Sequence, residues 1–385
     1  MKRDLFLLGS TGSIGKSVLK VVKNNKNIFK IKLLTTNKNV RKIYHQSIEF
    51  NVKTIVIFDK KKYLENKKKF EKAKIGVFFS IKDALKNHKS KVFLTINAIS
   101  GINGLEPSIE SIKFSKNLAI ANKESIICGW RFIQNEMNKY NTKFIPLDSE
   151  HFSIWSLLRG ENKFNIKKIY LTASGGPFLN KNLNNIKNIR PEIALKHPNW
   201  KMGQKISIDS ATMMNKIFEV IEAIKIFNLN KKDLKILIHP RSYIHAIIHF
   251  KNGLIKFLAH DTTMEIPIAN SLFLNSDKYK PTNNTFLYQK LNGLNFIKPS
   301  KNKFPLIKIL DYQFKDTFFE VILVSINDAL VNYYLDGKIS YISLHKIMLK
   351  LLNKRYFKVY YETRPKDINQ IKSMVKKVNQ YVKKY

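Results

Sequence analysis

At 385 residues the chain is too long for one ordinary hydrophobic core, so we expect two or three domains. Hydrophobic residues make up 44%, enough for globular cores, and without a run of 18 apolar residues the sequence predicts no membrane span. Cys128 is the only cysteine, which excludes an internal disulfide and a cysteine metal cluster and fits a reducing cytoplasm. The net charge of +41 alone suggests a polyanion partner, but the lysines are scattered along the chain and no RNA-binding signature with interleaved aromatics accompanies them. We therefore interpret the charge as compositional and expect no nucleic-acid partner.

Apolar runs alternate with polar, lysine-rich helical patterns through the first half of the chain. The predicted strands cover residues 4–8, 31–35, 54–58 and 91–96, and further apolar runs follow at 117–120 and 143–147. Alternation of this kind is typical of a doubly wound parallel sheet with helices on both faces. The sequence thus predicts an N-terminal α/β domain of the Rossmann-like kind.

A glycine-rich segment, GSTGSIG at residues 9–15, directly follows the first predicted strand and opens a helical pattern. This context is the one in which a dinucleotide pyrophosphate binds, because glycine allows close backbone approach and the helix N-terminus offers N–H groups. The spacing is G-x-x-G-x-x-G and not the usual G-x-G-x-x-G, so a glycine-rich turn without a ligand is the alternative. If a nucleotide binds, we expect Thr11, Gly12, Ser13 and Ile14 to contact it.

The end of the second predicted strand distinguishes the two nicotinamide cofactors. An NAD site usually places an acidic residue there to bind the ribose 2′-hydroxyl. This chain instead reads Asn37-Lys38-Asn39, with Arg41 close by. Because Lys38 and Arg41 are suited to a 2′-phosphate, the sequence favours NADPH over NADH.

Two carboxylates, Asp148 and Glu150, follow the apolar run at 143–147. In an extended chain residues i and i+2 point to the same side, so both can bind one hard cation such as Mg²⁺ or Mn²⁺. The alternative is that Asp148 or Ser149 caps a helix that starts near His151.

Beyond residue 150 the pattern indicates a second α/β domain with a partly antiparallel sheet. Its predicted strands cover residues 166–172, 234–238, 243–250 and 254–258, and one long helix covers 210–228. On that helix Asn215, Lys216 and Glu219 share a face at spacings of three and four residues, among apolar neighbours. A solvated ion pair is the alternative explanation for Lys216 and Glu219, but a carboxylate and a lysine near a buried surface favour a functional role.

The remaining chain completes the predicted domain organisation. Residues 275–305 are rich in Asn, Lys, Pro and Ser and are interpreted as a linker, and 306–385 have helical periodicity without strand alternation. We predict an NADPH-binding Rossmann-like domain at 1–148, a catalytic metal- and substrate-binding domain at 149–274, the linker, and a small helical domain at 306–385.

The motifs together resemble the 1-deoxy-D-xylulose 5-phosphate reductoisomerase family over most of residues 5–270. They are GSTGSIG, ANKES at 121–125, DSE at 148–150, LTASGGPF at 171–178, HPNW at 197–200 and DSATMMNKIFE at 209–219. The match departs from the family at Asn37, where the family has glycine, and at 152–156 after DSEH. Asn tolerates positive φ better than other residues with a side chain, so the turn at Asn37 is expected to survive.

The resemblance implies roles residue by residue. Metal ligands are expected at Asp148, Glu150 and Glu219. Substrate contacts are expected at Lys123, Ser149, Glu150, Ser174, His197, Trp200, Ser210, Asn215, Lys216 and Glu219. Cofactor contacts are expected at Thr11, Gly12, Ser13, Ile14, Asn37, Lys38, Asn39, Asn122, Glu124 and Gly203. For proton transfer Glu150, Lys123 and His197 all remain open.

The resemblance also implies the reaction. A sugar phosphate, 1-deoxy-D-xylulose 5-phosphate, would be rearranged and then reduced by NADPH to 2-C-methyl-D-erythritol 4-phosphate, with one divalent cation (Mn²⁺, Mg²⁺ or Co²⁺). A cytoplasmic homodimer without a membrane partner is expected. Two alternatives stay open: another NADP-dependent, metal-assisted dehydrogenase of a phosphorylated acid, and a polyanion-binding protein on a decayed enzyme scaffold.

Overall fold

The computed structural model describes residues 2–182, 186, 189–200, 202–274 and 288–384, whose strands form two separate sheets. The first unit of the chain comprises Met1–Ile126, Arg131–Phe152 and Met264–Thr282, and the second comprises Ile127–Trp130, Ser153–Thr263 and Asn283–Tyr385. The strands are β1 Arg3–Leu8, β2 Phe29–Thr36, β3 Thr54–Ile57, β4 Gly76–Phe78, β5 Val92–Asn97, β6 Ser115–Ile120, β7 Lys143–Pro146, β8 Ile166–Ala173, β9 Leu234–Ile238, β10 Ile244–Phe250 and β11 Ile255–Ala259. The helices are α1 Ser13–Lys23, α2 Val40–Glu49, α3 Lys60–Lys72, α4 Ile81–Ala84, α5 Leu105–Ile112, α6 Lys123–Tyr140, α7 Ser149–Leu157, α8 Pro191–Ala194, α9 Gln204–Ala211, α10 Met214–Phe227, α11 Glu265–Phe273, α12 Phe318–Leu335, α13 Tyr341–Leu352, α14 Arg355–Lys358 and α15 Ile368–Val382.

Seven parallel strands form the sheet of the first unit, in the order β4-β3-β2-β1-β5-β6-β7. Its central strands are buried on both faces, as the continuous apolar runs require once helices cover the sheet. Strand order reverses direction between β1 and β5, and ligands bind such sheets at the carboxyl ends of the strands beside this point. The predicted doubly wound parallel sheet is confirmed.

The second unit contains a mixed four-stranded sheet in the order β11-β10-β8-β9. β8 pairs in parallel with β9, while β10 runs antiparallel to both β8 and β11. The side of this sheet that carries Ile169, Leu171 and Ile248 joins a core to which α10 contributes Val220 and Phe227. The predicted second α/β domain with a partly antiparallel sheet is therefore confirmed.

The C-terminal part of the second unit is helical, as predicted. α12 begins with a capping box, in which the Thr317 hydroxyl accepts from the backbone of the first turn and the Glu320 carboxylate accepts from the Thr317 N–H. α12 is long and apolar enough to cross a membrane, but 72% of its 18-residue window is buried within the protein. Its apolar surface is thus covered by the protein's own helices, among them α13 and α15.

The structure corrects the predicted helix at 210–228. Two helices, α9 and α10, occupy this region, because Met213 has a φ of +67° and breaks the helical path.

The short edge strand β4 was not predicted from the sequence. Residues 275–287 of the predicted linker lie outside the described residues, while Ile297 pairs with Ile238 through two backbone hydrogen bonds of 2.7 and 2.8 Å. The domain boundaries stay predictions.

Gly15 provides a test of how tightly the glycine-rich turn packs. A Cβ atom there would lie 2.4 Å from the Gly9 carbonyl oxygen and 2.6 Å from Ser10 Cα, whereas one at Gly12 would lie 3.6 Å from its nearest neighbour. We expect Gly15→Ala to lower the free energy of unfolding by about 1–3 kcal/mol through overpacking, and Gly12→Ala to change it by less than about 1 kcal/mol. Thermal unfolding of the two variants without ligand measures the difference in stability. Equal midpoints would contradict the tight packing at Gly15.

Candidate active site

The glycine-rich loop joins β1 to α1 in the first unit. Gly12 occupies the N-cap position of α1 and has no side chain with which to cap it, so no N-cap side chain engages the first-turn N–H groups. Side chains of β2 and α2 stabilise the loop through hydrogen bonds. The Thr11 hydroxyl lies 2.9 Å from that of Thr36, and the Ser10 hydroxyl donates to the Gln46 side chain at 2.7 Å. The arrangement suits an anionic phosphate group at the helix N-terminus.

The segment after β2 borders a cavity of about 520 Å³. Its lining residues are Lys38, Asn39, Val40, Arg41, Lys62, Glu65 and Asn66. Asn39 caps α2 by accepting from the Lys42 N–H, and the exposed Lys38 ammonium lies 4.0 Å from an Asp59 carboxylate oxygen. Asn37 is not among the described residues with positive φ, so the turn forms without the left-handed backbone expected from the family's glycine. Lys62, Glu65 and Asn66 were not predicted, because they come from a different helix, α3.

Asp148 lies at the junction of β7 and α7 and is largely buried. It pairs with the ammonium group of Lys123, from the first turn of α6, and its other oxygen lies 3.1 Å from His151 Nδ1. Burial alone would raise the pKa of Asp148, but Lys123 and His151 hold it well below the usual value. The Asp148 carboxylate is therefore ionised at neutral pH.

The predicted geometry for Asp148 and Glu150 is wrong in one respect. The chain is not extended here, because α7 begins at Ser149 and the Glu150 N–H donates to Asp148 Oδ1 at 3.1 Å. The capping alternative is thus observed. The two carboxylates nevertheless offer oxygens within 4.8 Å of each other, and the Ser149 hydroxyl donates to Glu150 at 2.5 Å. Helix geometry, and not strand geometry, brings them together.

Asn122 and Glu124 flank Lys123 at the start of α6. Both are buried, and the Asn122 amide donates to the Gly101 carbonyl oxygen at 2.7 Å and to the Ser125 hydroxyl at 2.5 Å. A Cβ at Gly104 would lie 2.6 Å from the Asn122 amide nitrogen, so the close approach of this chain segment requires glycine. The first turn of α6 is consequently held in place by side-chain and backbone contacts.

In the second unit, Ser174 and His197 contact each other. The Ser174 oxygen lies 2.9 Å from His197 Nε2, and it accepts from the Gly176 N–H at 3.0 Å. Two backbone N–H groups, of Asn199 and Trp200, donate to His197 Nδ1 at 3.2 and 3.0 Å. Since Nδ1 accepts, the proton of the neutral ring is on Nε2 and is donated to Ser174. Burial lowers the pKa of His197 to about 4, which agrees with a neutral imidazole.

The HPNW segment is fastened to the loop between β9 and β10. The Asn199 amide donates to the Pro240 carbonyl oxygen at 2.6 Å and to the Ser242 hydroxyl at 2.9 Å. The Trp200 ring packs edge-on against His245, with 6.0 Å between ring centroids. Gly203 occupies the N-cap position of α9, where an added Cβ would meet nothing within 4 Å.

Asn215, Lys216 and Glu219 share one face of α10, as their spacing predicts. The Asn215 amide donates to Glu219 Oε1 at 2.7 Å, and the Lys216 ammonium pairs with Glu219 Oε2. Lys216 and Glu219 are both buried, which rules out the solvated ion pair considered from the sequence. Ser210 lies near the end of α9, just before the Met213 break.

A pH titration tests whether the His197 imidazole is neutral in the folded protein. Because its pKa is about 4 in the folded protein and 6.5 is the ordinary value, we expect the ring to stay neutral, with Nε2 protonated, from pH 8 down to about pH 5. The unfolded chain takes up a proton first on acidification, so this group destabilises the fold as pH falls from 6.5 towards 4. Histidine ¹⁵N NMR measures it, with His197→Gln for assignment. A midpoint near 6.5 would contradict the burial argument.

Comparison with known proteins identifies the family of the chain. The profile described as 1-deoxy-D-xylulose 5-phosphate reductoisomerase matches residues 5–129, and profiles of the reductoisomerase C-terminal domains match 144–227 and 260–381. The reductoisomerase of Pelagibacter ubique (strain HTCC1062) is 49% identical over 99% of this chain and 97% of its own length. That of Sulfurihydrogenibium sp. (strain YO3AOP1) is 37% identical over 90% of each chain.

Solved structures are similar to this chain over nearly its full length. The reductoisomerase from Zymomonas mobilis in complex with NADPH has a TM-score of 0.86 at 28% identity, over 99% of this chain and 98% of that one. A DOX-P reductoisomerase in complex with NADPH, fosmidomycin and magnesium has a TM-score of 0.89 at 28% identity, over 99% and 97%. With three family profiles along its length and a relative at 49% identity, the chain belongs to the 1-deoxy-D-xylulose 5-phosphate reductoisomerase family.

Proposed function

We propose that the protein rearranges 1-deoxy-D-xylulose 5-phosphate and reduces it with NADPH to 2-C-methyl-D-erythritol 4-phosphate, in the non-mevalonate pathway to isoprenoid precursors. It is an NADPH- and divalent-metal-dependent reductoisomerase. The observation that carries the proposal is membership of the family over nearly the full chain, in which a relative's structure holds NADPH, fosmidomycin and magnesium together. The chain has the groups that such ligands require.

The proposed cofactor contacts lie in the first unit at Thr11, Gly12, Ser13 and Ile14 for the pyrophosphate, and at Asn37, Lys38 and Asn39 for the adenosine end. Uncapped N–H groups at α1 support the former, and the lysine and arginine beside the cavity support the latter. The proposed cofactor contacts near the nicotinamide are Asn122, Glu124 and Gly203. When bound, NADPH supplies the hydride.

The proposed metal ligands are Asp148, Glu150 and Glu219. The donor set fits a hard divalent cation, because it consists of carboxylates alone and Asp148 is held ionised by Lys123. When bound, the cation supplies Lewis-acid stabilisation of negative charge on the substrate oxygens. Lys123 and Lys216 each pair with one of these carboxylates and limit their mutual repulsion. Mn²⁺, Mg²⁺ and Co²⁺ all suit such a set.

The proposed phosphate contacts are Ser174, His197, Ser210, Asn215 and Lys216. His197 is a neutral donor through Nε2–H, and Lys216 is a buried cation. Hydroxyl, amide, imidazole and ammonium donors suit a phosphate dianion, and the Asn215 and Lys216 donors also contact the Glu219 carboxylate. Ser149 is the proposed contact to the remainder of the substrate.

Trp200, on the segment held by Asn199, is proposed to cover the carbon chain of the substrate and to exclude water. For proton transfer we propose Glu150, Lys123 and His197 as the candidate groups, and burial lowers the pKa of His197 to about 4, so its imidazole is neutral at pH 7.

The protein is proposed to be a cytoplasmic homodimer without nucleic-acid or membrane partners. The edge strand β11 supports a dimer, because it carries exposed apolar side chains at Ile255 and Phe257, next to the exposed Leu254. Exposed apolar edges of this kind commonly pair with a second copy.

Glu219→Gln tests the reaction and the metal site together. We expect the wild-type protein to form 2-C-methyl-D-erythritol 4-phosphate with one NADPH oxidised per product, to stop with chelator and to recover with Mn²⁺ or Mg²⁺. The variant should need at least about tenfold more metal for half-maximal activity, because a charged ligand is lost.

Glu222→Gln is the matched control, since it removes the same charge from a buried position of the same helix. Its metal requirement should equal that of the wild type. A different product would refute the reaction, and an unchanged metal requirement in Glu219→Gln would refute the ligand assignment.

Lys38→Ala tests the preference for NADPH. Removing an ammonium group that faces a 2′-phosphate should raise KM for NADPH by about tenfold or more and leave KM for NADH unchanged within about twofold. Lys30→Ala removes an exposed lysine near the other end of β2 and should alter neither value. Steady-state kinetics with both cofactors supplies the comparison, and parallel increases for NADPH and NADH would refute the 2′-phosphate contact.

A further inference from the structure

The break between α9 and α10 lies among the proposed phosphate contacts, with Ser210 on one side and Asn215 and Lys216 on the other. Met213 holds a left-handed backbone there, which is costly for a residue with a side chain and persists only when surrounding structure enforces it. The segment 209–216 is here called the phosphate turn.

Asp209 directly precedes Ser210 and is buried, yet its two carboxylate oxygens are both engaged. Oδ1 accepts from the Asn327 amide of α12 at 2.8 Å, and Oδ2 accepts from the Lys205 ammonium at 2.9 Å. Lys205 also lies 3.1 Å from a carboxylate oxygen of Asp328, the next residue of α12. A buried carboxylate with charged and amide partners is strongly fixed in position. It therefore fastens the end of α9 to α12.

A second contact from the C-terminal helices holds the next residue of the turn. The Tyr341 hydroxyl, at the start of α13, donates to the Ala211 carbonyl oxygen at 2.7 Å, and both residues are buried. From the other side, Gly176 approaches so closely that a Cβ there would lie 3.0 Å from the Ser210 carbonyl oxygen and from Ala211 Cα. The turn is thus held between the end of the LTASGG segment and two C-terminal helices.

We infer that Asp209, Asn327 and Tyr341 are positioning residues for the phosphate turn. They touch no proposed ligand, and they act through Ser210, Asn215 and Lys216 by fixing the angle between α9 and α10. The inference rests on the proposed function for the identity of the ligand. It assigns the C-terminal helices a role in substrate binding, because preorganised donors lose affinity when the backbone that carries them relaxes.

An exchange of the two side chains tests the pair without changing the total charge. Asp209→Asn and Asn327→Asp should each raise KM for the sugar phosphate by about tenfold, with a smaller change in kcat, because the first removes the charge that pairs with Lys205 and the second sets two carboxylates against each other. The double variant restores an amide opposite a carboxylate, so its KM should fall well below that of Asn327→Asp, although the lost charge opposite Lys205 keeps it above the wild-type value. The dissociation constant for NADPH should remain that of the wild type throughout.

A second test compares Tyr341→Phe with the matched control Tyr334→Phe, and neither substitution changes the charge. Both remove a buried hydroxyl that donates to a backbone carbonyl, at 2.7 Å to Ala211 and at 2.9 Å to Ile189. Both variants should lose similar stability, but only Tyr341→Phe should raise KM for the sugar phosphate. Backbone hydrogen exchange in the free protein should also accelerate within residues 209–216 in Tyr341→Phe alone.

The results separate this inference from the proposed function. Faster hydrogen exchange in the phosphate turn of Tyr341→Phe would support the positioning role whatever the substrate is. Inactivity of the wild-type protein with 1-deoxy-D-xylulose 5-phosphate would refute the proposed function but not the positioning role. Unchanged exchange in the turn together with equal KM values for the two tyrosine variants would overturn the inference. A KM in the double variant as high as that of Asn327→Asp would overturn the role of the Asp209–Asn327 pair.

Discussion

Asp148 and Glu219 are carboxylates in largely buried surroundings, and each lies against a lysine ammonium group from a nearby helix position. An ionised carboxylate is costly to bury unless a cation or several donors accompany it. In the first unit Lys123 meets this need for Asp148, and in the second Lys216 meets it for Glu219. The pairing places a compensating positive charge beside each of these two carboxylates.

Strand ends position most of the candidate site residues that do not lie on α9 or α10. In the first unit the glycine-rich loop, the Lys38 segment and Asp148 follow the carboxyl ends of β1, β2 and β7. In the second unit Ser174 follows the carboxyl end of β8, which pairs in parallel with β9. Parallel strands deliver their following loops to one edge of a sheet, so residues distant in sequence lie along the same edge. The helices that start there contribute N–H groups and the first-turn side chains of α1, α6 and α7.

Local patterns predicted much of this. Strand alternation gave the parallel sheet, and i, i+3 and i, i+4 spacing placed Asn215, Lys216 and Glu219 on one face. Features that oppose local preference were not predictable: Met213 takes a backbone conformation that methionine rarely adopts, and it divides one apparent helix into two. Long-range contacts were equally hidden, since the Asn327 bond to Asp209 joins residues 118 positions apart. The chain at Asp148 was predicted as extended, although the same capping chemistry that was considered as an alternative starts α7 there.

A crystal structure grown with Mn²⁺ and NADPH, measured at the manganese absorption edge, tests the central claim most directly. The account predicts one anomalous peak per chain, coordinated by carboxylate oxygens of Asp148, Glu150 and Glu219, with Lys123 and Lys216 still adjacent to the site. A peak bound by other side chains, or a fully occupied cation that leaves these three carboxylates uncoordinated, would contradict it.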